Sequence, residues 1–201
     1  MKIPKGIYYI VGIDEAGRGP LAGPVAVGVA CVSAFDKNFK KFSRGVRDSK
    51  KLSEKQREEW FEKMTREKVK KSFSFFVSYS SAETIDISGL SFAIRRALAD
   101  ALKKLNCPPE ETLVLLDGGL HAPKEYSHQK TIIHGDDIEP IISFASIAAK
   151  VSRDRKMRAL AKKHPEYCFE KHKGYGTKAH YEAIEKYGIL EGVHRKRFLH
   201  R

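Results

Sequence analysis

A chain of 201 residues is most simply one domain, and 38 Lys and Arg against 25 Asp and Glu give a formal charge of +13, which favours a polyanionic partner such as nucleic acid or an anionic membrane surface. The longest apolar runs, over residues 24–32 and 113–116, fall far short of the roughly 20 residues a membrane-spanning helix needs, and residues 1–6 carry no apolar leader, so a cytoplasmic protein without membrane contact is expected. Cys31, Cys107 and Cys168 are odd in number and lack a Cys-x-x-Cys pair, and the histidines lack zinc spacing, which argues against a disulfide framework and against a zinc site.

In chain order, residues 7–14 and 25–32 read as strands joined by a Gly- and Pro-rich turn short enough for antiparallel neighbours, so a hairpin opens the fold. Ser53 followed by Gln56 has the form of a capping box, and Trp60, Phe61 and Met64 recur at helical spacing on the segment it starts, which is expected to end near Lys68. Residues 72–80 alternate enough aromatic and β-branched side chains for a strand, and residues 91–105 place Ile94, Ala97, Leu98, Ala101, Leu102 and Leu105 on one helical face. Residues 112–116 form a short apolar run ending at Asp117-Gly118-Gly119, the pattern of a buried strand that delivers Asp117 to a cleft at its carboxyl end.

Ile132 and Ile133 suggest another short strand, followed by a long helix over 141–163 between Pro140 and Pro165 whose Ala145, Ser146, Ala148 and Ala149 permit close packing. Beyond a loop containing Gly174-Tyr175-Gly176, a helix over 178–187 leads to a basic tail at Arg195-Lys196-Arg197. There is no internal repeat, and strands mixed with helices after an antiparallel hairpin predict an α/β fold with a mixed sheet.

The chemistry is concentrated where the first strand ends, at Gly12-Ile13-Asp14-Glu15-Ala16-Gly17-Arg18-Gly19-Pro20. Two adjacent carboxylates repel unless a cation neutralises them, and an arginine between glycines allows close approach to an anion, so the stretch suggests metal-assisted chemistry on a phosphate backbone. A solvated turn is the bland alternative, and a strand buried on both faces is a poor place to start one. Adjacent strand residues face opposite sides of a sheet, so Asp14 and Glu15 can share one site only if the strand ends or bends there.

That stretch is the first of six blocks, followed by Asp48-Ser49-Lys50-Lys51-Leu52, Leu116-Asp117-Gly118, Gly135-Asp136 through Pro140, Ala149-Lys150-Val151-Ser152-Arg153-Asp154 and His172-Lys173-Gly174-Tyr175-Gly176-Thr177. Taken in order, from about residue 8 to about residue 198, the chain resembles ribonuclease HII, the type 2 ribonuclease H. The resemblance implies a ribonuclease H-like fold, a mixed central sheet flanked by helices, with a C-terminal helical extension over about 165–201 that forms part of the substrate cleft. It also carries over four metal-binding acids, Asp14, Glu15, Asp117 and Asp136, holding two Mg²⁺ or Mn²⁺ ions in the reacting complex. The register Gly-Asp-x-x-x-Pro selects Asp136 over Asp137, and Asp154, beside Arg153, is left outside the metal set.

The implied substrates are RNA–DNA hybrids and duplex DNA carrying single ribonucleotides, cut 5′ of the ribonucleotide to leave 3′-hydroxyl and 5′-phosphate ends. In the family, the backbone of the segment matching Gly17-Arg18-Gly19 reads ribose hydroxyls and the tyrosine matching Tyr175 stacks on the adjoining deoxyribose, although by residue type a loop tyrosine serves packing equally well. Lys50 and Lys173 are expected at phosphates, against the alternative of exposed solvated lysines, and Arg195, Lys196 and Arg197 would extend the duplex track. Phe144 departs from the family's small residue at that point of the long helix, so if it faces the sheet a neighbour must be smaller. The short tail after Phe198 predicts a monomer. The rivals are a non-catalytic basic module that binds duplex nucleic acid and a metal-dependent nuclease of the same fold with another substrate.

Overall fold

The computed structural model describes residues 3–46, 49–69 and 73–199, so Asp48, Ser72 and His200 of the sequence patterns lie outside the described residues. A five-stranded sheet of order β3-β2-β1-β4-β5 forms the centre, built from β1 (Tyr9–Ala16), β2 (Val25–Ser33), β3 (Phe73–Ser80), β4 (Thr112–Asp117) and β5 (Gln129–Ile132). The expected hairpin is present, with β1 and β2 paired antiparallel from Tyr9 opposite Ser33 to Ala16 opposite Ala26. β3 is antiparallel to β2, whereas β4 is parallel to β1 and β5 parallel to β4, which makes the sheet mixed as expected. Ile133 falls outside β5 and is exposed, because this edge strand has a neighbour on one side only and needs little apolar content.

The helices are α1 (Phe39–Phe42), α2 (Glu54–Val69), α3 (Ala82–Ser88), α4 (Leu90–Leu105), α5 (Gly135–Ile138), α6 (Pro140–Lys163), α7 (Phe169–His172), α8 (Lys178–Tyr187) and α9 (Lys196–Leu199). The capping box forms reciprocally: the Ser53 N–H donates to Gln56 Oε1 at 2.9 Å and the Gln56 N–H donates to Ser53 Oγ at 3.2 Å. α3 escapes the hydrophobic period because it is only seven residues long, yet it is capped by Ser81, whose hydroxyl accepts the Thr84 N–H. α6 opens at Pro140, where a missing N–H costs nothing.

The two sheet faces follow strand parity. Val11, Ile13, Val27, Val29, Val114 and Leu116 meet α4, while Ala30, Val32, Leu113 and Leu115 lie on the α6 side. α6 approaches the sheet over glycines: a Cβ on Gly12 would lie 2.3 Å from the Ile141 carbonyl oxygen, and one on Gly28 would lie 2.2 Å from that of Ala145. Phe144, fully buried, stacks on Phe42 at 4.9 Å and meets Phe39, Trp60 and Phe73 edge-on. An aromatic cluster under α1 and α2 thus accommodates the bulk. Cys31 and Cys107 are distant in sequence but meet as free thiols, with sulfurs 3.7 Å apart. Among the described residues no helix is long and apolar enough to cross a membrane.

A third core lies where the C-terminal extension packs on the end of α6, through Met157, Ala161, Tyr167, Phe169 and Ala183. The β1–β2 connection is drawn into it. Leu21 and Ala22 N–H groups donate to the Gly174 carbonyl at 2.8 and 3.2 Å, Gly23 N–H donates to Val193, and Arg195 N–H donates to Leu21. Three imidazoles, of His172, His180 and His194, cluster beside Phe169. Burial holds all three below the usual histidine range, and the proximity of His180 helps bring His194 down to about 4.

Two outcomes follow. Gly12→Ala should lower stability by about 3 kcal/mol, because the new methyl meets helix backbone that has nowhere to go; an unchanged urea midpoint would contradict the close approach. Between the ordinary histidine pKa of about 6.5 and the folded value of about 4 for His194, the unfolded chain binds the proton that the fold refuses. Stability should therefore be full above about pH 7 and fall, by on the order of 2 kcal/mol, as the pH drops through that window. His194→Gln should flatten that dependence in pH-resolved denaturation.

Candidate active site

β1 pairs with β4 only as far as Ile13 opposite Leu116, yet its pairing with β2 continues to Ala16. Beyond Ile13 the two parallel strands part at their carboxyl ends, and a cleft opens where β1 changes from an antiparallel to a parallel neighbour. Asp14 is the first residue past the split, and Asp117 ends β4. Both share strand parity with the residues that face α6. Asp136, from the short α5 that follows β5, completes a group in which oxygens of the three carboxylates all lie within 4.8 Å of one another.

Each acid is fixed by local contacts. Asp14 accepts the Glu15 N–H at 2.7 Å and is hydrogen-bonded to Ser146 of α6, whose hydroxyl also meets Ser49 Oγ at 2.8 Å. Asp117 Oδ1 accepts the Gly135 N–H at 2.7 Å. Ser143 donates to the Asp136 carbonyl at 2.6 Å, and the Asp136 carboxylate meets Lys50 Nζ at 3.4 Å. Burial raises the Asp14 pKa well above the carboxylate range, Glu15 and Asp117 add repulsion, and the Ser146 hydrogen bond opposes the shift only in part. Such a group of hard oxygen donors, too close to be ionised together unaided, suits a divalent cation of the Mg²⁺ or Mn²⁺ class.

Glu15 stands apart from this cluster. β1 stays extended and paired through Ala16, so Asp14 and Glu15 take opposite faces, and the Glu15 carboxylate pairs with Arg18 at 3.1 Å. Glu15 nonetheless lines the cleft, a cavity of about 240 Å³ that also receives Gly17, Arg18, Gly19, Lys50 and Tyr175. Asp137 pairs with Lys51 at 2.6 Å, and Asp154 pairs with Lys150 at 2.9 Å.

Two basic residues expected along the nucleic-acid track are enclosed in this structure. Lys173 is buried and its ammonium meets the Glu170 carbonyl at 2.5 Å and Glu54 at 3.6 Å. Arg195 is fully buried: its guanidinium donates to the carbonyls of Gly23, Arg18 and Gly17 at 2.9, 3.1 and 2.8 Å. It serves the loop rather than a duplex track, and burial with the nearby Arg153 charge pushes its pKa down to about 9. Arg153 clamps the same loop through the carbonyls of Pro24 and Ala22 and ties it to the C-terminal extension through that of Lys173. A Cβ on Gly17, whose φ is +94°, would lie 2.2 Å from Arg153 Nε, so the arginine occupies the space a side chain would take.

Lys196 pairs with Glu191 at 2.8 Å, while the Lys196 and Arg197 N–H groups donate to Asp86. Arg197 lines a neighbouring concavity of about 490 Å³ together with Arg18 and Tyr181. Lys150, which no sequence expectation singled out, also lines the cleft. The signal was its helical spacing, since Ser146, Lys150 and Arg153 fall at i, i+4 and i+7 on one face of α6.

The ribonuclease HII family model matches residues 11–201. The ribonuclease HII of Fusobacterium nucleatum is 45% identical over 194 residues, covering 94% of this chain and 85% of that protein. That of Caldicellulosiruptor bescii is 44% identical over 195 residues, covering 97% and 88%. Among solved structures, ribonuclease H2 from Pyrococcus horikoshii superposes with a TM-score of 0.73 at 26% identity, covering 94% of this chain and 93% of that one. With the acid cluster at the split of a ribonuclease H-like mixed sheet, these matches place the chain in the ribonuclease HII family, as a metal-dependent endonuclease.

Proposed function

We propose that this enzyme hydrolyses the RNA strand of RNA–DNA hybrids and also cuts duplex DNA 5′ of a single embedded ribonucleotide, leaving 3′-hydroxyl and 5′-phosphate ends. Its cellular role would be the removal of misincorporated ribonucleotides, carried out by a monomer whose residues 1–201 act as one catalytic unit. The observation that carries this reading is the cluster of three carboxylates, two of them buried, beside the Gly17-Arg18-Gly19 loop and Tyr175 at one cleft.

Asp14, Asp117 and Asp136 would hold two divalent ions, with Glu15 at the cleft rim as the fourth acid. When bound, such ions supply Lewis-acid stabilisation of the attacking and leaving oxygens of a phosphodiester. The chain's own residues do the rest. Lys50 and Lys150 counter the charge of the phosphate backbone at the cleft. The glycine-flanked backbone of Gly17 to Gly19 lets a ribose 2′-hydroxyl approach closely, and the Tyr175 ring, nearly half exposed, offers an apolar face to the sugar that follows. A purely structural duplex binder is disfavoured, since uncompensated carboxylates in a phosphate-facing cleft would repel the ligand.

The test is cleavage of an end-labelled DNA duplex carrying one ribonucleotide, beside an all-DNA control and a uniform hybrid. One cut 5′ of the ribonucleotide is expected with Mg²⁺ or Mn²⁺ and none with a chelator; binding without cutting under every metal would favour the non-catalytic reading. Asp14→Asn and Asp117→Asn should each reduce turnover by on the order of 10³-fold or more while hybrid binding persists. Near-normal turnover in either variant would remove that residue from the metal set.

A further inference from the structure

Of the three imidazoles behind the cleft, those of His180 and His194 are joined by a hydrogen bond, and their backbone partners fix its direction. Leu190 N–H donates to His194 Nδ1 at 2.8 Å, so in the neutral ring the His194 proton sits on Nε2. His194 Nε2 lies 3.1 Å from His180 Nε2, which must then accept, leaving the His180 proton on Nδ1. That nitrogen lies 2.9 Å from the Tyr175 carbonyl and donates to it. Alongside, His172 stacks on His180 with centroids 4.4 Å apart and accepts the Gly174 N–H through Nδ1 at 3.2 Å. Both rings of the chain are almost wholly buried, at 0% exposure for His180 and 1% for His194. Their burial keeps them neutral, as this polarity requires.

The chain links two parts of the cleft. At one end is the backbone of Tyr175, whose ring is in van der Waals range of Gly19, where a Cβ would lie 3.8 Å from it. At the other end is His194, which bridges Ala22 and precedes Arg195, the clamp on the Gly17 and Arg18 carbonyls. We infer that His180 and His194 are positioning residues that set the Tyr175 ring against the Gly17-Arg18-Gly19 backbone and so determine preference for a ribonucleotide-to-deoxyribonucleotide junction. The inference rests on the reading of Tyr175 as the group that stacks on the junction sugar. Neither histidine touches substrate; each acts through the Tyr175 loop.

The test uses junction preference, the ratio of kcat/KM on a single-ribonucleotide duplex to kcat/KM on a uniform RNA–DNA hybrid, with kcat and KM resolved separately. Tyr175→Ala sets the scale. His180→Asn puts an amide N–H near the Nδ1 position and keeps the bond to the Tyr175 carbonyl, whereas His180→Gln reaches toward His194 and loses it. His180→Gln should lower the preference about tenfold, mainly through kcat on the junction substrate, while His180→Asn, which keeps the Tyr175 bond and gives up the one to His194, should lose only about threefold, as should His194→Leu. Adding Tyr175→Ala to His180→Gln should lower the preference no further than Tyr175→Ala alone.

Equal loss in the Asn and Gln variants, or no loss in the Gln variant when Tyr175→Ala is impaired, overturns the inference. An unimpaired Tyr175→Ala enzyme would instead overturn the reading of Tyr175 itself. Thermal melts of each variant separate loss of fold from loss of positioning, and His194→Gln, in which an amide N–H can still reach His180, provides a second comparison against His194→Leu should the His180→Gln protein fail to fold. Retained preference in His194→Gln with loss in His194→Leu supports the chain; equal preference in the two contradicts it.

Discussion

Three carboxylates whose oxygens lie within 4.8 Å of one another, two of them almost fully buried, are the constraint around which this molecule is arranged. Left alone they repel, and burial makes the repulsion stronger because the charged form is poorly solvated. The fold accepts that cost at one place, the split between β1 and β4, and surrounds it with hydrogen-bond donors from other elements. Ser146 reaches Asp14 because α6 lies directly on Gly12 and Gly28, and the Gly135 N–H reaches Asp117 because glycine leaves room beside Ile142. The glycines of the sheet and the acids of the cleft are thus parts of one design: close helix packing delivers the polar groups that orient the carboxylates.

The second half of the site is held by positive charge placed inside the protein. Arg153 and Arg195 are both buried, and the hydrogen bonds their guanidiniums make are to backbone carbonyls of residues 17–24 and 173. A planar group with donors on every edge suits this work, since it can bind several carbonyls of a turning backbone at once. The β1–β2 connection is fastened to Gly174 on one side and to Val193–Arg195 on the other, so the C-terminal extension is part of the cleft wall. A loop carrying Arg18 on its exposed side can then be rigid without presenting an apolar anchor to the substrate.

Much of this was legible in the sequence because the relevant signals are local. Periodicity located α4, Pro140 and Pro165 bounded α6, the Ser53–Gln56 pair located the start of α2, and the apolar run before Asp117 located the strand that carries it. The face of an acid was harder. Whether Glu15 joins Asp14 depends on where β1 stops pairing with each neighbour, and the answer differs for β2 and β4. Burial of charge was harder still: Arg195 sits in the pattern Arg-Lys-Arg, which reads as a solvated basic tail, and only its tertiary contacts reveal that it is enclosed by carbonyls. Lys173 misled for a similar reason, since its φ of +52° and its partner Glu54, on α2, turn it inward. The short helices, of four to seven residues, lie below the length at which a hydrophobic period can be recognised.

Metal-dependent cleavage in this cleft requires the acid cluster to act as the seat of divalent metal. The most direct measurement is the anomalous diffraction of Mn²⁺ in crystals of the enzyme bound to an uncut single-ribonucleotide duplex. Manganese peaks within coordination distance of Asp14, Asp117 and Asp136, with the ribonucleotide 2′-hydroxyl against the Gly17–Gly19 backbone, are the predicted result. Manganese bound elsewhere, with these three carboxylates left without metal in a complex that proceeds to cleavage, would contradict it.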